Sequence, residues 1–238
     1  VADYHVPLAL GTQTGGSVIR PASFNGTYGL KPTVGKISRK GMLLQSHTLD
    51  TIGFYGRKLW DLALIATCLA GETSAQLSED LSTHGFEAFE NWAGDLKQPN
   101  FAFLETPAWS EADNGAKRAI EATLNLLSSA YRKETLPEPF SEIIDFHGTV
   151  FAAENSYYYG PFLENHSELL SEKLRDRLIT SKTTLASDYI AALNAREEIY
   201  KSLDHLLNQY DAVLCLAATG AAPVGFETTG SAIFNGLW

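Results

Sequence analysis

The sequence predicts an α/β layered fold, because short apolar runs alternate along the chain with longer amphipathic segments. The apolar runs at 6–10, 51–55 and 100–105 are typical of buried strands. Other segments repeat apolar residues every three or four positions, as helices do. Hydrophobic residues make up 45% of the 238 residues and aromatic residues 11%, which is enough for a substantial core.

Each element follows from its local pattern. The first third is rich in glycine, which indicates strands joined by tight loops. The polar, turn-rich stretch 72–100 is predicted to be a surface segment. The predicted elements after the loops are a helix over 60–69 with Gly71 as its C-cap, a strand over 100–105, a helix begun by the N-cap Asp113, a mostly helical stretch over 141–178 broken at Gly160-Pro161, a helix over 187–209 and a strand over 212–216.

Composition excludes several classes of function. The net charge of −10, with no long basic run, argues against nucleic-acid binding. No stretch approaches the roughly 20 apolar residues that a spanning helix needs, so no membrane span is expected. Two cysteines make a disulfide scaffold implausible, and no metal-ligand spacing is present, so no metal and no cofactor are expected. The expected partner is therefore a small molecule.

The chain ends are unusual for a natural protein. The sequence starts at Val1 inside a patterned segment, ends at Trp238 without a polar tail and contains a single methionine, Met42. We therefore expect a segment that is incomplete at both ends. The location is expected to be cytoplasmic, and homo-oligomerisation is left open.

The glycine-rich segment that ends at Ser17 carries the chemical signal. Gly11, Gly15 and Gly16 allow backbone N–H groups to converge on one point, and a serine there could serve as a nucleophile with those groups as an oxyanion hole. A P-loop would need a lysine directly after Gly16, and an α/β-hydrolase elbow would need glycine at position 19. A glycine turn without function is the competing interpretation.

The run GTQTGGSVIRPASFNGTYGLKPT, residues 11–33, resembles the core motif of the amidase signature family. The match continues through LDTIG at 49–53, and FNGLW at 234–238 resembles the start of the family's late segment. The resemblance implies a layered α/β/α sandwich around a central mixed β-sheet, as a single domain over 1–238. It also implies amide hydrolysis through a Ser–cis-Ser–Lys triad, with a small-molecule amide as substrate.

By position in the family motif, Ser17 corresponds to the nucleophile, and Thr14, Gly15 and Gly16 correspond to the oxyanion loop. The family's lysine and cis-serine both lie upstream of the nucleophile. The sixteen residues before Ser17 contain neither a lysine nor a serine. The isolated chain is therefore expected to lack normal amidase activity.

Two residues near Ser17 are candidates for substrate binding. Gln13 stands where many members of the family carry aspartate, and structural support of the glycine loop is the preferred role. The aspartate is usual in the glutaminyl-tRNA amidotransferase subunit, so glutamine argues mildly against that role. Arg20 could hold a substrate carboxylate bidentately, or pair with a protein group and fix the loop.

Other residues have simpler expected roles. Lys31 is expected to anchor a turn. Asp50, Arg57 and Asp61 match family positions and are expected to cap loops and helices. His147 and Glu154 fall on one helical face, where they could line the substrate cleft or form an exposed pair on its rim; Tyr157, Tyr158 and Tyr159 are expected to pack, with an acyl-pocket wall as the alternative.

Three functions remain open at this point. The leading hypothesis is hydrolysis of a linear carboxamide to a carboxylate and an amine or ammonia. The second is an amidotransferase component that passes ammonia to a partner. The third is a non-catalytic fragment that serves only as a binding module.

Overall fold

The computed structural model describes residues 1–70 and 99–238 as alternating strands and helices. The strands are β1 (Leu8–Gln13), β2 (Tyr28–Leu30), β3 (Thr51–Gly56), β4 (Phe101–Leu104), β5 (Tyr131–Glu134) and β6 (Ala212–Leu214). The α-helices are α1 (Ile19–Asn25), α2 (Leu59–Leu69), α3 (Asn114–Leu127), α4 (Ile143–Asn165), α5 (Glu172–Ser181), α6 (Ala186–Leu207) and α7 (Ile233–Gly236). The predicted α/β class is confirmed.

Within the described ranges the strands form two three-stranded sheets. The first has the order β1-β3-β2 and is antiparallel, with Leu8 opposite Gly56 and Gln13 opposite Thr51. The second has the order β5-β4-β6 and is parallel. Both pairing modes are therefore present, each in its own sheet. The first sheet matters most for function, because β1 ends at the glycine loop.

The largest hydrophobic core joins the second sheet to helices α4 and α6. Apolar side chains from these elements and from the chain end pack together; they are Ala102, Leu104, Phe140, Ile143, Ile199, Leu203, Leu206 and Leu237. A smaller core around Phe54 and Leu62 holds α2 against the first sheet. Burying each large side chain contributes roughly 1.5–3 kcal/mol, so these clusters fix the positions of the surrounding loops.

The predicted capping roles are found in the structure. The Asp113 side chain accepts a hydrogen bond from the Ala116 N–H at 2.7 Å and begins α3. Asp61 accepts from the Lys58 N–H at 3.1 Å at the start of α2. Arg57 donates to the carbonyl oxygens of Val1 and Val6, and so holds the segment before β1.

Helix α4 corrects one prediction from the sequence. It runs unbroken from Ile143 to Asn165, with Pro161 inside it, although a break was expected at Gly160-Pro161. Proline removes one helical hydrogen bond, at a cost of about 3 kcal/mol or more. Packing along α5 and α6 offsets that local cost. The expected Gly71 cap and residues 72–98 of the expected surface segment over 72–100 lie outside the described residues.

Candidate active site

The loop between β1 and α1 is folded around the side chain of Gln13. Its amide oxygen accepts hydrogen bonds from the Val18 N–H at 2.8 Å and the Ile19 N–H at 3.0 Å. Both donors lie at the start of α1, where backbone N–H groups have no partner inside the helix. Gln13 therefore closes residues 14–17 into a tight turn, and this contact supports the structural role expected for it.

Inside this turn, backbone donors are left without acceptors. Among the described residues, no carbonyl or side chain accepts from the N–H groups of Thr14, Gly15, Gly16 and Ser17. Of these four residues only Gly16 is buried, so the N–H groups are accessible to a ligand. Backbone N–H groups without acceptors in one tight turn can serve as an oxyanion hole.

Ser17 itself is exposed at the end of the turn. No described group hydrogen-bonds its hydroxyl, while its carbonyl oxygen accepts from the Tyr55 hydroxyl at 2.8 Å. Tyr55 lies on β3 and fixes the backbone of Ser17 without occupying the side chain. The hydroxyl is therefore available for chemistry, but no general base contacts it within the described part of the chain.

The glycine at position 16 is favoured by close packing. A Cβ at Gly16 would lie 3.0 Å from the Cβ of Ala232 and 3.1 Å from the Nδ2 of Asn235. Asn235 is itself held, because its Nδ2 donates to the Ala217 carbonyl oxygen at 2.7 Å. The segment before and within α7 therefore forms one wall of the turn, and a larger residue at 16 would require that wall to shift by a few tenths of an ångström.

A chain of hydrogen bonds between polar groups connects the turn to helix α4. The Thr14 hydroxyl donates to Asp50, whose other carboxylate oxygen accepts from the N–H groups of Gln45 and Ser46. The Ser46 hydroxyl donates in turn to Glu154 on α4. The position of Thr14 therefore depends on the loop over 45–50 and, through it, on α4.

Glu154 is the anchor of this chain. Its carboxylate accepts from the Ser46 hydroxyl, from both the N–H and the hydroxyl of Thr48, and from the Tyr189 hydroxyl of α6 at 2.8 Å. Burial alone would raise the pKa of Glu154, but these hydrogen bonds together hold its pKa below the usual value. The residue is buried and ionised, so the exposed rim position considered from the sequence does not apply to it.

Arg20 is engaged by the protein. One guanidinium nitrogen donates to the Gly230 carbonyl oxygen at 2.8 Å and the other to the Thr229 hydroxyl at 3.0 Å. The side chain is buried, and burial lowers its pKa from the usual value. Of the two roles considered for Arg20, these contacts favour fixing a loop over holding a substrate carboxylate.

A cavity of about 160 Å³ opens directly beside the glycine loop. Its roof consists of Gln13, Thr14 and Gly15, while its walls come from α4 and α6. His147, a residue of α4, also lines the cavity. Its Nε2 lies 3.5 Å from the Thr14 carbonyl oxygen. Burial lowers the pKa of His147 and outweighs the opposing effect of that carbonyl, so the imidazole is neutral near pH 7.

Part of this cavity was predictable from the sequence. His147 lines it, which agrees with the cleft position, one of the two positions considered for this residue. Lys31 also lines the cavity and donates to the Pro32 carbonyl oxygen at 3.3 Å. None of the tyrosines at 157–159 lines it, and Tyr157 is 76% exposed. The roles of Tyr55 and Ala232 were missed, because both depend on contacts across more than thirty residues of sequence.

No helix within residues 1–70 and 99–238 combines the length and the apolar character that crossing a membrane requires. In the same ranges, no group of three or more His, Cys, Asp or Glu side chains is placed to hold a metal ion.

Comparison with known families identifies the chain. A family model described as Amidase matches residues 1–232. The chain belongs to the amidase signature family. The matched range includes the glycine loop, Ser17 and both sheets.

Curated relatives are named as components of glutamyl-tRNA(Gln) amidotransferase. The relative of that name from Treponema denticola is 30% identical over 93% of this chain and 52% of its own length. The one from Thermus thermophilus is 31% identical over 82% of this chain and 45% of its own length. The chain thus spans about half the length of the curated relatives it matches.

Solved structures share the fold. A crystal structure of an amidase superposes with a TM-score of 0.78 at 24% identity, covering 97% of this chain and 51% of the other. A protein from a vestigial complex related to an s-triazine catabolic enzyme gives a TM-score of 0.80 at 22% identity, over 95% and 49% of the two chains. The predicted α/β fold of the amidase signature type is therefore confirmed. Among the described residues, however, the strands form one antiparallel and one parallel sheet in place of the single central mixed sheet that the resemblance implied.

Proposed function

We propose that the protein hydrolyses a carboxamide through an acyl-enzyme on Ser17. One observation carries the proposal most directly: an exposed, unpaired serine hydroxyl follows four consecutive backbone N–H groups without acceptors among the described residues. Family membership supports it, since the turn lies inside the matched motif. Thr14, Gly15 and Gly16, together with the N–H of Ser17, form the proposed oxyanion hole.

In the proposed reaction, Ser17 Oγ adds to the carbonyl carbon and loses its proton. The carbonyl oxygen becomes an oxyanion, and the free N–H groups of the turn hold it. Each such donor contributes about 3–4 kcal/mol to lowering the barrier. The C–N bond then breaks, the leaving nitrogen takes up the proton, and water hydrolyses the remaining ester to a carboxylate.

No proton acceptor is found among the described contacts of Ser17, so the proposed acceptor is taken from the family resemblance. Resemblance to the family implies a neutral lysine that acts through a cis-serine, both upstream of the nucleophile. Lys31 follows Ser17, lines the cavity and bonds the Pro32 carbonyl, so it does not take that place. The cytoplasmic location and an oligomeric state remain predictions from the sequence.

A component of an amidotransferase is the second candidate. The names of the curated relatives favour it, at 30% and 31% identity. Gln13 argues mildly against it, as the sequence resemblance implies aspartate there. Release of ammonia from glutamine by the complete natural protein, together with delivery of that ammonia to a partner enzyme, would favour this candidate over free amide hydrolysis.

The test compares amide hydrolysis by the complete natural protein and by two serine variants. Ser17→Ala is expected to lower kcat by at least about a thousandfold, because removal of a nucleophile leaves only binding and oxyanion effects. Ser23→Ala, an exposed serine of α1, is the matched control and should retain activity. Equal rates in the wild type and Ser17→Ala would refute the proposal.

A further inference from the structure

The cavity beside the glycine loop combines apolar walls with two cations. Helices α4 and α6 and the chain end supply its apolar surface, which consists of Phe140, Ile143, Phe146, Val150, Leu193 and Trp238 among others. Thr14 and Gly15 line it as well, whereas Gly16 and Ser17 lie outside its lining. A group held in this cavity would therefore lie next to the proposed oxyanion donors.

The cations are Lys31 and Arg196, both half-buried. Neither forms an ion pair with any described carboxylate. The Arg196 guanidinium lies 5.6 Å from the centre of the Tyr200 ring, and the Lys31 ammonium donates only to the Pro32 carbonyl within the described part of the chain. Burial without a counter-ion lowers the pKa of Lys31.

The charge pattern of the cavity is opposite to that of the whole protein. No Asp or Glu of the described ranges lines it, whereas the chain carries a net charge of −10. Charge in apolar surroundings is costly unless an opposite charge compensates it, so two cations in one largely apolar cavity favour an anionic occupant. The missing partner in this cavity therefore has the chemistry of an anion, and the apolar walls require that the anion be attached to a hydrocarbon.

We propose that this cavity binds the acyl part of the substrate and selects an acyl chain that ends in a carboxylate, which Lys31 and Arg196 hold. The proposal rests on the proposed function, because the amide carbon must reach Ser17 when the chain lies in the cavity. Arginine suits this role, since its planar fork matches a carboxylate.

Matched amides test the charge preference. Monoamides of succinate, adipate and suberate each carry one carboxylate, and the corresponding diamides have the same shape without the charge. Binding is measured by calorimetry on the Ser17→Ala variant of the complete natural protein, so that no turnover occurs. At least one monoamide is expected to bind about tenfold or more tightly than its diamide, as for a hydrogen bond to a charged group.

Variants assign the preference to the cavity. Lys31→Gln and Arg196→Gln should each reduce it, and the double variant should abolish it, while Arg196→Lys should retain part of it. Lys36→Gln and Arg118→Gln, which change exposed cations elsewhere, are the controls and should leave it unchanged. Thermal unfolding of each variant identifies any loss of folding. If a glutamine variant does not fold, the charge preference of Arg196→Lys is compared with that of the wild type, and an unchanged preference counts against the assigned role of Arg196.

The outcomes separate this inference from the proposed function. Equal binding of every monoamide and diamide pair would overturn the inference, as would a preference that survives the double variant. If Ser17 proves to be the nucleophile while no charge preference exists, only the inference fails. If the carboxylate preference exists and Ser17 is unreactive, the binding site stands and the proposed function fails.

Discussion

At the scale of single residues, Gln13 and Glu154 are the side chains on which the geometry of the site depends. Gln13 satisfies two N–H groups at the start of α1, and Glu154 holds the loop that positions Thr14. The support role of Gln13 was predictable from the sequence, because the glycine loop needs an acceptor. The contacts of Glu154 could not be predicted, because they join residues more than a hundred positions apart.

Replacing Gln13 tests its support of the turn. Gln13→Ala leaves the N–H groups of Val18 and Ile19 without acceptors, and Val18 is fully buried. We expect a loss of about 1–3 kcal/mol in the free energy of unfolding, measured by urea denaturation. Gln13→Glu keeps an acceptor in place and should lose much less; equal losses in both variants would contradict this role.

The lowered pKa of Glu154 predicts that its contribution to the free energy of unfolding depends on pH. Its pKa is lowered in the folded state, so the stabilisation is complete above the unfolded-state pKa of about 4.3 and is lost as pH falls through the lower folded-state value. Glu154→Gln should therefore lose about 1–3 kcal/mol of unfolding free energy at pH 7, and progressively less below pH ~4.

The control for this prediction lies on the same helix. Glu164 pairs with Lys182 at 2.7 Å, but its side chain is 61% exposed. Glu164→Gln should change the unfolding free energy by less than about 1 kcal/mol, because exposed ion pairs contribute little. A loss from Glu154→Gln that stays constant from neutral pH down through the folded-state pKa would contradict the account.

At the scale of elements, helices with strong local signals were predicted well. The α2 and α6 helices begin and end within about two residues of the expected positions, and α3 begins at its expected cap Asp113, since apolar spacing and the cap are local features. Helix α4 was missed as one element because its packing on α5 and α6 is not visible in the sequence around Pro161. Strand pairing into two sheets also depends on distant contacts.

Arg20 links α1 to a distant loop, and this link is testable. Arg20→Met removes the hydrogen bonds to Gly230 and Thr229. We expect faster amide hydrogen exchange in the peptide over 226–232, which loses these anchors, with little change in α3. Arg118→Met, an exposed arginine of α3, is the control. Unchanged exchange over 226–232 would contradict the anchoring role.

At the scale of the whole molecule, the fold places the glycine loop between the first sheet and the cavity lined by α4 and α6. The first sheet delivers the turn through β1, and α4 and α6 form the cavity next to it. Family membership was predictable from the motif over 11–33, because that motif is nearly continuous in sequence. The cavity was not, because its lining comes from residues spread between 13 and 238.

Covalent labelling tests the central claim, that Ser17 is the nucleophile, most directly. The complete natural protein is treated with a fluorophosphonate, and the modified residue is located by peptide mass spectrometry, with Ser17→Ala and Ser23→Ala treated in parallel. The account predicts one adduct on Ser17, which is absent from Ser17→Ala and retained in Ser23→Ala. An adduct on another serine, or labelling that persists in Ser17→Ala, would contradict it.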